Sequence, residues 1–127
     1  MAFSHIPSPL PSGGFPLPVD EIRSRFRVLG FLPGHSHNSL SPRLVLHADG
    51  LEIKVVSTSY YEYTALTRID YRPEGFLHQE RVVLRFEADA TTYEFIPASF
   101  AIRRGFLQFC RERGVPLTAA ALAAAEV

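Results

Sequence analysis

The sequence has no tryptophan and contains one cysteine in 127 residues. Since Cys110 is alone, an intrachain disulfide is excluded, and its place on the apolar stripe of a predicted helix favours core packing over nucleophilic chemistry. There is no run of 18 or more apolar residues, so we expect no transmembrane helix. The N-terminus also lacks the basic and apolar regions of a signal peptide. We therefore expect a soluble, cytoplasmic protein.

Lysine is nearly absent, because 12 of the 13 basic residues are arginine and only Lys54 is lysine. Thirteen acidic residues balance these cations and bring the net charge to zero. A nucleic-acid-binding domain is usually more basic than this, and we expect no nucleic acid partner. Two interpretations of the arginine bias stay open. It reflects either genomic base composition or a preference for planar, bidentate contacts with anions.

The chain divides into three zones. Residues 1–19 contain no Asp, Glu, Lys or Arg and carry five prolines, which favour extended backbone and forbid helix. We predict that this proline-rich arm lies partly on the domain or on a neighbour. Residues 20–117 contain the predicted folded domain. Residues 118–127 are alanine-rich but short, and they predict either a tail or a short helix.

Alternating polar and apolar residues predict about six or seven β-strands before Pro97. EIRSRFRVLGFL, the first of these segments, alternates arginines with apolar positions. We predict a loop for PGHSHNSLSP, which is bounded by Pro33 and Pro42. RLVLHADGLEIKVV predicts a β-hairpin with a type I′ turn at Asp49-Gly50.

The segment EYTALTRIDY interrupts this alternation, since Tyr63, Leu66 and Ile69 are spaced by three. Such spacing fits one 3₁₀ turn, in which residues i and i+3 nearly eclipse. We therefore predict a short helical turn near Tyr63 to Leu66, with Leu66 and Ile69 buried. Residues 98–114 predict one amphipathic helix that is capped by Ser99 and ended by Gly114.

Several antiparallel strands followed by one helix make an α+β order. We expect a small antiparallel β-barrel or orthogonal sandwich, because both arrangements protect strand edges, with the C-terminal helix closing one end.

This order resembles a pleckstrin-homology-like (PH-like) domain, in particular the small bacterial ones. LVLHADGLEI is similar to the early hairpin of that family, and YTALTRIDY to its aromatic-x-x-aliphatic-x-x-aliphatic segment. YEFIPASFAIRRGFLQFC resembles the last strand, the proline and the C-terminal helix. The resemblance covers roughly residues 43–114. It implies a non-enzymatic interaction module that binds a protein or self-associates, with no cofactor.

Arginines near the first strand suggest an alternative function. Arg25, Arg27 and Arg43 are candidates for a strip that binds an anionic lipid surface or a phosphate ligand. Alternation of this kind is also typical of a solvated strand face, and that interpretation stays open.

Tyrosines and histidines supply the remaining candidates. Tyr60, Tyr61 and Tyr71 are interface candidates, although packing is the first expectation for them. His35 and His37 are weak metal candidates that would need a third ligand such as His47 or His78. A solvated histidine pair is favoured, so we predict no metal site. We find no catalytic constellation, which leaves a small-ligand or metal-using enzyme as the second alternative.

Overall fold

The computed structural model describes residues 6–28, 32–86 and 91–126. Within these ranges the chain forms nine strands, one 3₁₀ turn and two helices, whereas the sequence predicted about six or seven strands. In chain order they are β1 (Phe15–Pro16), β2 (Val19–Val28), β3 (Leu32–Asn38), β4 (Arg43–Leu46), β5 (Gly50–Lys54), β6 (Thr58–Glu62), the 3₁₀ turn (Tyr63–Ala65), β7 (Leu66–Arg72), β8 (Arg81–Phe86), β9 (Thr92–Pro97), α1 (Phe100–Glu112) and α2 (Ala119–Ala124). In the described part of the chain, neither helix is long and apolar enough to cross a membrane.

Two antiparallel sheets and the C-terminal helices make the fold α+β, as predicted. One sheet has four strands in the order β1-β4-β5-β6, and the other has five in the order β3-β2-β9-β8-β7. Because the described strands pair within two separate sheets, the predicted closed barrel is wrong. The arrangement is consistent with the predicted alternative, a sandwich.

Apolar residues from both sheets and from α1 form the core. Val82, Leu84 and Phe86 of β8 lie on one face of the strand and are buried. The ring of Phe95 in β9 meets the ring of Phe106 in α1 edge-on, with centroids 5.1 Å apart. Cys110 is fully buried, and burial raises the pKa of its thiol. The prediction that this cysteine packs in the core is confirmed.

Helix α1 begins directly after Ser99 and ends shortly before Gly114, the two residues that the sequence indicated as its cap and its end. The Ser99 hydroxyl accepts a hydrogen bond from the Ile102 N–H at 3.1 Å, so the predicted N-cap is confirmed. Gly114 has a φ of +80°, which glycine adopts at little cost. At this end the Gly114 N–H donates to the Arg111 carbonyl and the Val115 N–H to the Cys110 carbonyl. These two bonds satisfy carbonyls that the helix leaves unpaired.

The alanine-rich segment contains α2, which the sequence predicted as one of two alternatives. Thr118 caps it by accepting a hydrogen bond from the Ala121 N–H. Thr118 also donates its backbone N–H to the Ile69 carbonyl at 3.0 Å and its hydroxyl to Asp70 at 2.8 Å. These bonds hold α2 against β7, although so short a helix is marginal by itself.

The predicted 3₁₀ turn is confirmed at Tyr63–Ala65. Leu66 and Ile69 are buried, as the spacing of three predicted, and Tyr63 is buried too. The Tyr63 hydroxyl donates to the His47 carbonyl at 2.7 Å, and its ring lies edge-on against Phe109 of α1. The turn therefore carries the chain from β6 in one sheet to β7 in the other, with its side chains anchored in the core.

The loop predicted between Pro33 and Pro42 is wrong over its first six residues, because β3 occupies Leu32–Asn38. Among the described strands, β3 pairs only with β2 and lies at the edge of the five-stranded sheet. Proline is tolerated at a sheet edge, where no second neighbour needs its missing N–H. The loop was predicted from the glycine and the prolines of this segment. That prediction failed because the sequence does not show that the segment lies at a sheet edge.

The type I′ turn predicted at Asp49-Gly50 is also wrong. Gly50 is the first residue of β5, and the His47 N–H donates to its carbonyl at 2.8 Å. The two residues that turn the chain are therefore 48 and 49. Glycine is needed at position 50 because a Cβ atom would collide with the Tyr61 carbonyl and the Tyr60 phenol.

Part of the proline-rich arm lies on the domain. Residues 1–5 of the predicted arm are outside the described residues. Leu17 is buried, while Ile6, Leu10 and Phe15 pack partly buried against the core. β1 adds a short edge to the four-stranded sheet by pairing with β4.

Candidate functional site

The outer face of the five-stranded sheet collects six of the arginines whose side chains the structure describes. Side chains alternate along a strand, so residues that flank core positions point outward. We call the outward charged residues of β2, β7, β8 and β9 the arginine face. Its six arginines are Arg23, Arg25, Arg68, Arg72, Arg81 and Arg85, and its three carboxylates are Glu21, Asp70 and Glu94. This set leaves out Arg27, whose side chain is not described, and Asp20, which lies in the irregular register between Val19 and Glu21. Its six positive and three negative charges sum to +3, on a chain whose net charge is zero.

Four arginines of this face form two pairs, and the two members of each pair lie directly opposite each other on neighbouring strands. In the ladder between β7 and β8, Arg68 is the partner of Arg85, and Arg72 is the partner of Arg81. Like charges at directly opposed positions of an antiparallel pair destabilise the sheet. Stability of the fold alone therefore does not account for this arrangement.

A buried carboxylate lies at the centre of the arginine face. Glu94 of β9 is only 2% exposed. Its Oε2 atom lies 3.5 Å from Arg25 Nη2 and 3.5 Å from Arg72 Nη1, and its Oε1 atom lies 3.9 Å from Arg81 Nε. One anion is thus shared by arginines from three strands. Three buried atoms of this face, Arg81 Nη1, Arg85 Nε and Glu94 Oε2, make no hydrogen bond to any described residue, so two donors and one acceptor of the face are left without hydrogen bonds.

A second carboxylate, Asp70, is held by the structure at the β7 edge. Burial alone would raise the pKa of Asp70, but hydrogen bonds from Thr118 and from the Tyr71 N–H lower it below its ordinary value. The charges of Arg85 and Arg68 act in the same direction. Asp70 therefore stays ionised at neutral pH, and it joins α2 to the sheet.

An apolar loop tip stands beside the arginine face. Residues 73–80 join β7 to β8, and the Gly75 N–H donates to the His78 carbonyl at 2.9 Å within this loop. The loop lines a shallow groove together with Glu21, Arg23 and Arg81. At its tip, Phe76 and Leu77 are 96% and 85% exposed.

The predicted arginine strip is divided between the two sheets. Arg25 lies on the arginine face, whereas Arg43 lies in β4, with its Nε atom 3.6 Å from Glu52 Oε2. The side chain of Arg27 is outside the described residues. Arg25 and Arg43 therefore do not form one strip, and their role in anion binding stays a prediction.

The three predicted interface tyrosines lie in different environments. Tyr60 is 49% exposed, and the hydrogen bond that it donates to Asp49 at 2.5 Å raises its pKa to about 12. Tyr61 is half-buried and stacks on Phe86 with ring centroids 4.0 Å apart. Tyr71 is half-buried as well. Of the three, Tyr60 offers the largest exposed fraction, and the interface role stays a prediction.

The histidines form no described metal site. The backbone of His35 and His37 belongs to β3, and their side chains are outside the described residues. His47 Nε2 lies 3.1 Å from Glu52 Oε1, and His78 belongs to the β7–β8 loop. Among the described residues there is no group of three or more His, Cys, Asp or Glu side chains that could hold a metal ion.

A buried polar cluster was missed by the sequence analysis. Arg103 Nη1 donates to Glu80 Oε1 at 2.8 Å and to the Tyr71 hydroxyl at 3.2 Å, while Arg103 Nε donates to the Ala124 carbonyl at 3.1 Å. Tyr71 in turn donates to Glu80 at 2.6 Å. The cluster joins α1, α2 and the β7–β8 loop. A basic residue on the apolar stripe of α1 was the one signal that could have indicated a buried partner.

The chain matches no family model, no curated protein and no solved structure. Its function is therefore inferred from the geometry of the described residues, in which the arginine face is the most distinctive chemical feature.

Proposed function

We propose that this chain is a non-enzymatic, PH-like interaction module that binds an anionic partner through the arginine face. The order of the elements supports the PH-like part of this proposal. The consecutive strands β7, β8 and β9 are neighbours in one sheet and precede the C-terminal helix, and β2 pairs with β9.

The two directly opposed arginine pairs carry the functional part of the proposal. Repulsion within each pair opposes folding, and the three carboxylates Glu21, Asp70 and Glu94 compensate for only part of the charge of the six arginines. An anion that accepts hydrogen bonds from both members of a pair removes that repulsion. Guanidinium groups suit this role because their planar donors match carboxylate and phosphate oxygens.

The size of the arginine face favours a partner with several anionic groups. Neighbouring strands lie about 4.8 Å apart, so β2 and β7 are separated by about 14 Å across the face. Arg23, Arg25 and Arg72 are each roughly half-exposed and accessible to such a partner. Of these, Arg23 also donates from Nε to Glu21 Oε2 at 2.7 Å. An acidic protein segment and an anionic membrane both carry several anionic groups, whereas a single phosphate ion is too small to contact the whole arginine face.

Titration with polyglutamate tests the proposal. The double variant Arg25→Gln with Arg72→Gln removes two accessible charges, and we expect its affinity to fall about tenfold, or about 1.4 kcal/mol. Binding of the wild-type protein should also weaken as salt is added, because the contacts are exposed. Isothermal titration calorimetry at two salt concentrations measures both effects.

Arg111→Gln is the matched control. Arg111 is exposed on α1, where its Nη1 atom lies 2.8 Å from Glu126, and it is not part of the arginine face. This variant should bind polyglutamate as the wild type does. Equal affinities of the double variant and the wild type, or an equal loss in Arg111→Gln, would contradict the proposal.

A further inference from the structure

The tip of the β7–β8 loop presents two neighbouring large apolar side chains to solvent. Phe76 and Leu77 are almost completely exposed, and the hydrogen bond between Gly75 and His78 closes the loop beneath them. The ring of His78 fills the space that a Cβ atom on Gly75 would need, so this end of the loop is packed. Single exposed apolar residues need no explanation, whereas an adjacent pair on a closed loop favours contact with an apolar partner.

The apolar tip and the arginine face are neighbours. Phe76 and Leu77 line the same shallow groove as Arg23, Arg81 and Glu21, so the tip lies at one border of the arginine face. A segment of acidic residues alone, such as polyglutamate, would satisfy the arginines but would give Phe76 and Leu77 no apolar environment. A bilayer of anionic lipids offers both, because its surface is negative and the layer beneath its headgroups is apolar.

We infer that the anionic partner is a lipid bilayer rich in anionic lipids, with the arginine face against the headgroups and Phe76 and Leu77 inserted among them. This inference rests on the proposed function and names the partner. Binding to such a bilayer has two contributions, one electrostatic and one apolar. The arginines supply attraction that weakens with salt, and the loop tip supplies apolar burial that salt does not screen.

The chain offers a matched control for the loop tip. Leu40 and Val56 are also exposed, at 98% and 77%. They lie in the β3–β4 and β5–β6 connections, which the Asn38 amide joins by donating to the Ser41 and Val55 carbonyls. Neither residue lines the groove beside Arg23. Substitution of this pair removes comparable apolar surface without changing the proposed docking surface.

Co-sedimentation with vesicles tests the inference. The wild type should bind vesicles of phosphatidylglycerol and phosphatidylcholine, should bind phosphatidylcholine alone much less, and should bind more weakly in high salt. Phe76→Ser with Leu77→Ser should reduce vesicle binding by about tenfold, since it removes two partly inserted side chains. The same variant should bind polyglutamate as the wild type does. Leu40→Ser with Val56→Ser should leave both kinds of binding unchanged.

The polyglutamate measurement keeps the two proposals apart. If the Phe76/Leu77 variant binds vesicles as well as the wild type does, the membrane inference is overturned while arginine-dependent binding of polyglutamate still stands. If the Arg25/Arg72 variant retains full affinity for polyglutamate, the proposed function itself fails.

The fluorescence of an introduced tryptophan reports directly whether the loop tip inserts into the bilayer, since the chain has no tryptophan of its own. Phe76→Trp should show a blue-shifted emission when phosphatidylglycerol vesicles are added, and Leu40→Trp should show none. An unshifted spectrum at position 76, or an equal shift at position 40, would overturn the inference.

Discussion

Glu94 combines burial, negative charge and three cationic neighbours at one residue. Because Arg25 and Arg72 are half-exposed, they can turn toward water if the carboxylate is lost, whereas Arg81 is largely buried and cannot do so as easily. Removing one partner of a buried ion pair costs far more than removing an exposed one, since the remaining charge loses its compensation.

We expect Glu94→Gln to lower the free energy of unfolding by about 2–3 kcal/mol, because Arg81 is left without its buried counter-ion. Urea unfolding followed by circular dichroism measures this change. Glu52→Gln is the control. Its carboxylate also lies between two basic side chains, Arg43 and His47, but it is more exposed. The control should cost no more than about 1 kcal/mol, and equal losses in the two variants would contradict this account of Glu94.

Residues whose role depends on near neighbours could be predicted from the sequence. Leu66 and Ile69 follow from their spacing, and Ser99 and Gly114 from the preferences of helix ends. The pairing of Arg103 with Glu80 could not be predicted, since it depends on how α1 packs against the β7–β8 loop. A single sequence contains no local signal for a contact between residues 23 positions apart.

The C-terminal end of α1 shows how an element is ended by one backbone conformation. Gly114 has a left-handed φ of +80°, and a Cβ atom there would meet no heavy atom within 4 Å. Any cost of replacing this glycine therefore comes from the backbone conformation and not from a steric clash.

Gly114→Ala should lower the free energy of unfolding by about 1 kcal/mol, since alanine is disfavoured in the left-handed region. Gly13→Ala is the matched control, because a Cβ atom at Gly13 also meets open space and Gly13 has no positive φ. Alanine there should be neutral or slightly stabilising, as it restricts the unfolded chain. Thermal unfolding of both variants checks the difference, and an equal loss of stability would contradict it.

Elements in the middle of the sheets were easier to predict than those at the edges. In β8 the residues that face the core are apolar, and Arg81 and Arg85 lie on the other face together with the buried Val83. β3 contains proline, glycine and two histidines, and it is a strand because β2 pairs with its whole length. Such a strand depends on its neighbour more than on its own sequence preferences, which is why it was predicted as a loop.

At the scale of the molecule, the strand order creates the arginine face. β2 lies next to β9, and β8 and β7 follow, so Arg25 and Arg72 meet at Glu94 although they are far apart in the chain. The sequence shows that arginines alternate along β2, and it predicted anion binding near Arg25. It does not show which strands are neighbours, and it therefore grouped Arg25 with Arg43 of the other sheet.

Nuclear magnetic resonance with ¹⁵N-labelled protein and polyglutamate tests the central claim most directly, because it locates the bound anion. We expect the largest shift changes at the Nε–Hε signals of Arg25, Arg72 and Arg81 and at the backbone amides of β2, β7, β8 and β9. We expect little change in the four-stranded sheet or at Arg111. Changes that cluster around Arg43, Lys54 or the end of α1, with the arginine face unaffected, would contradict the account.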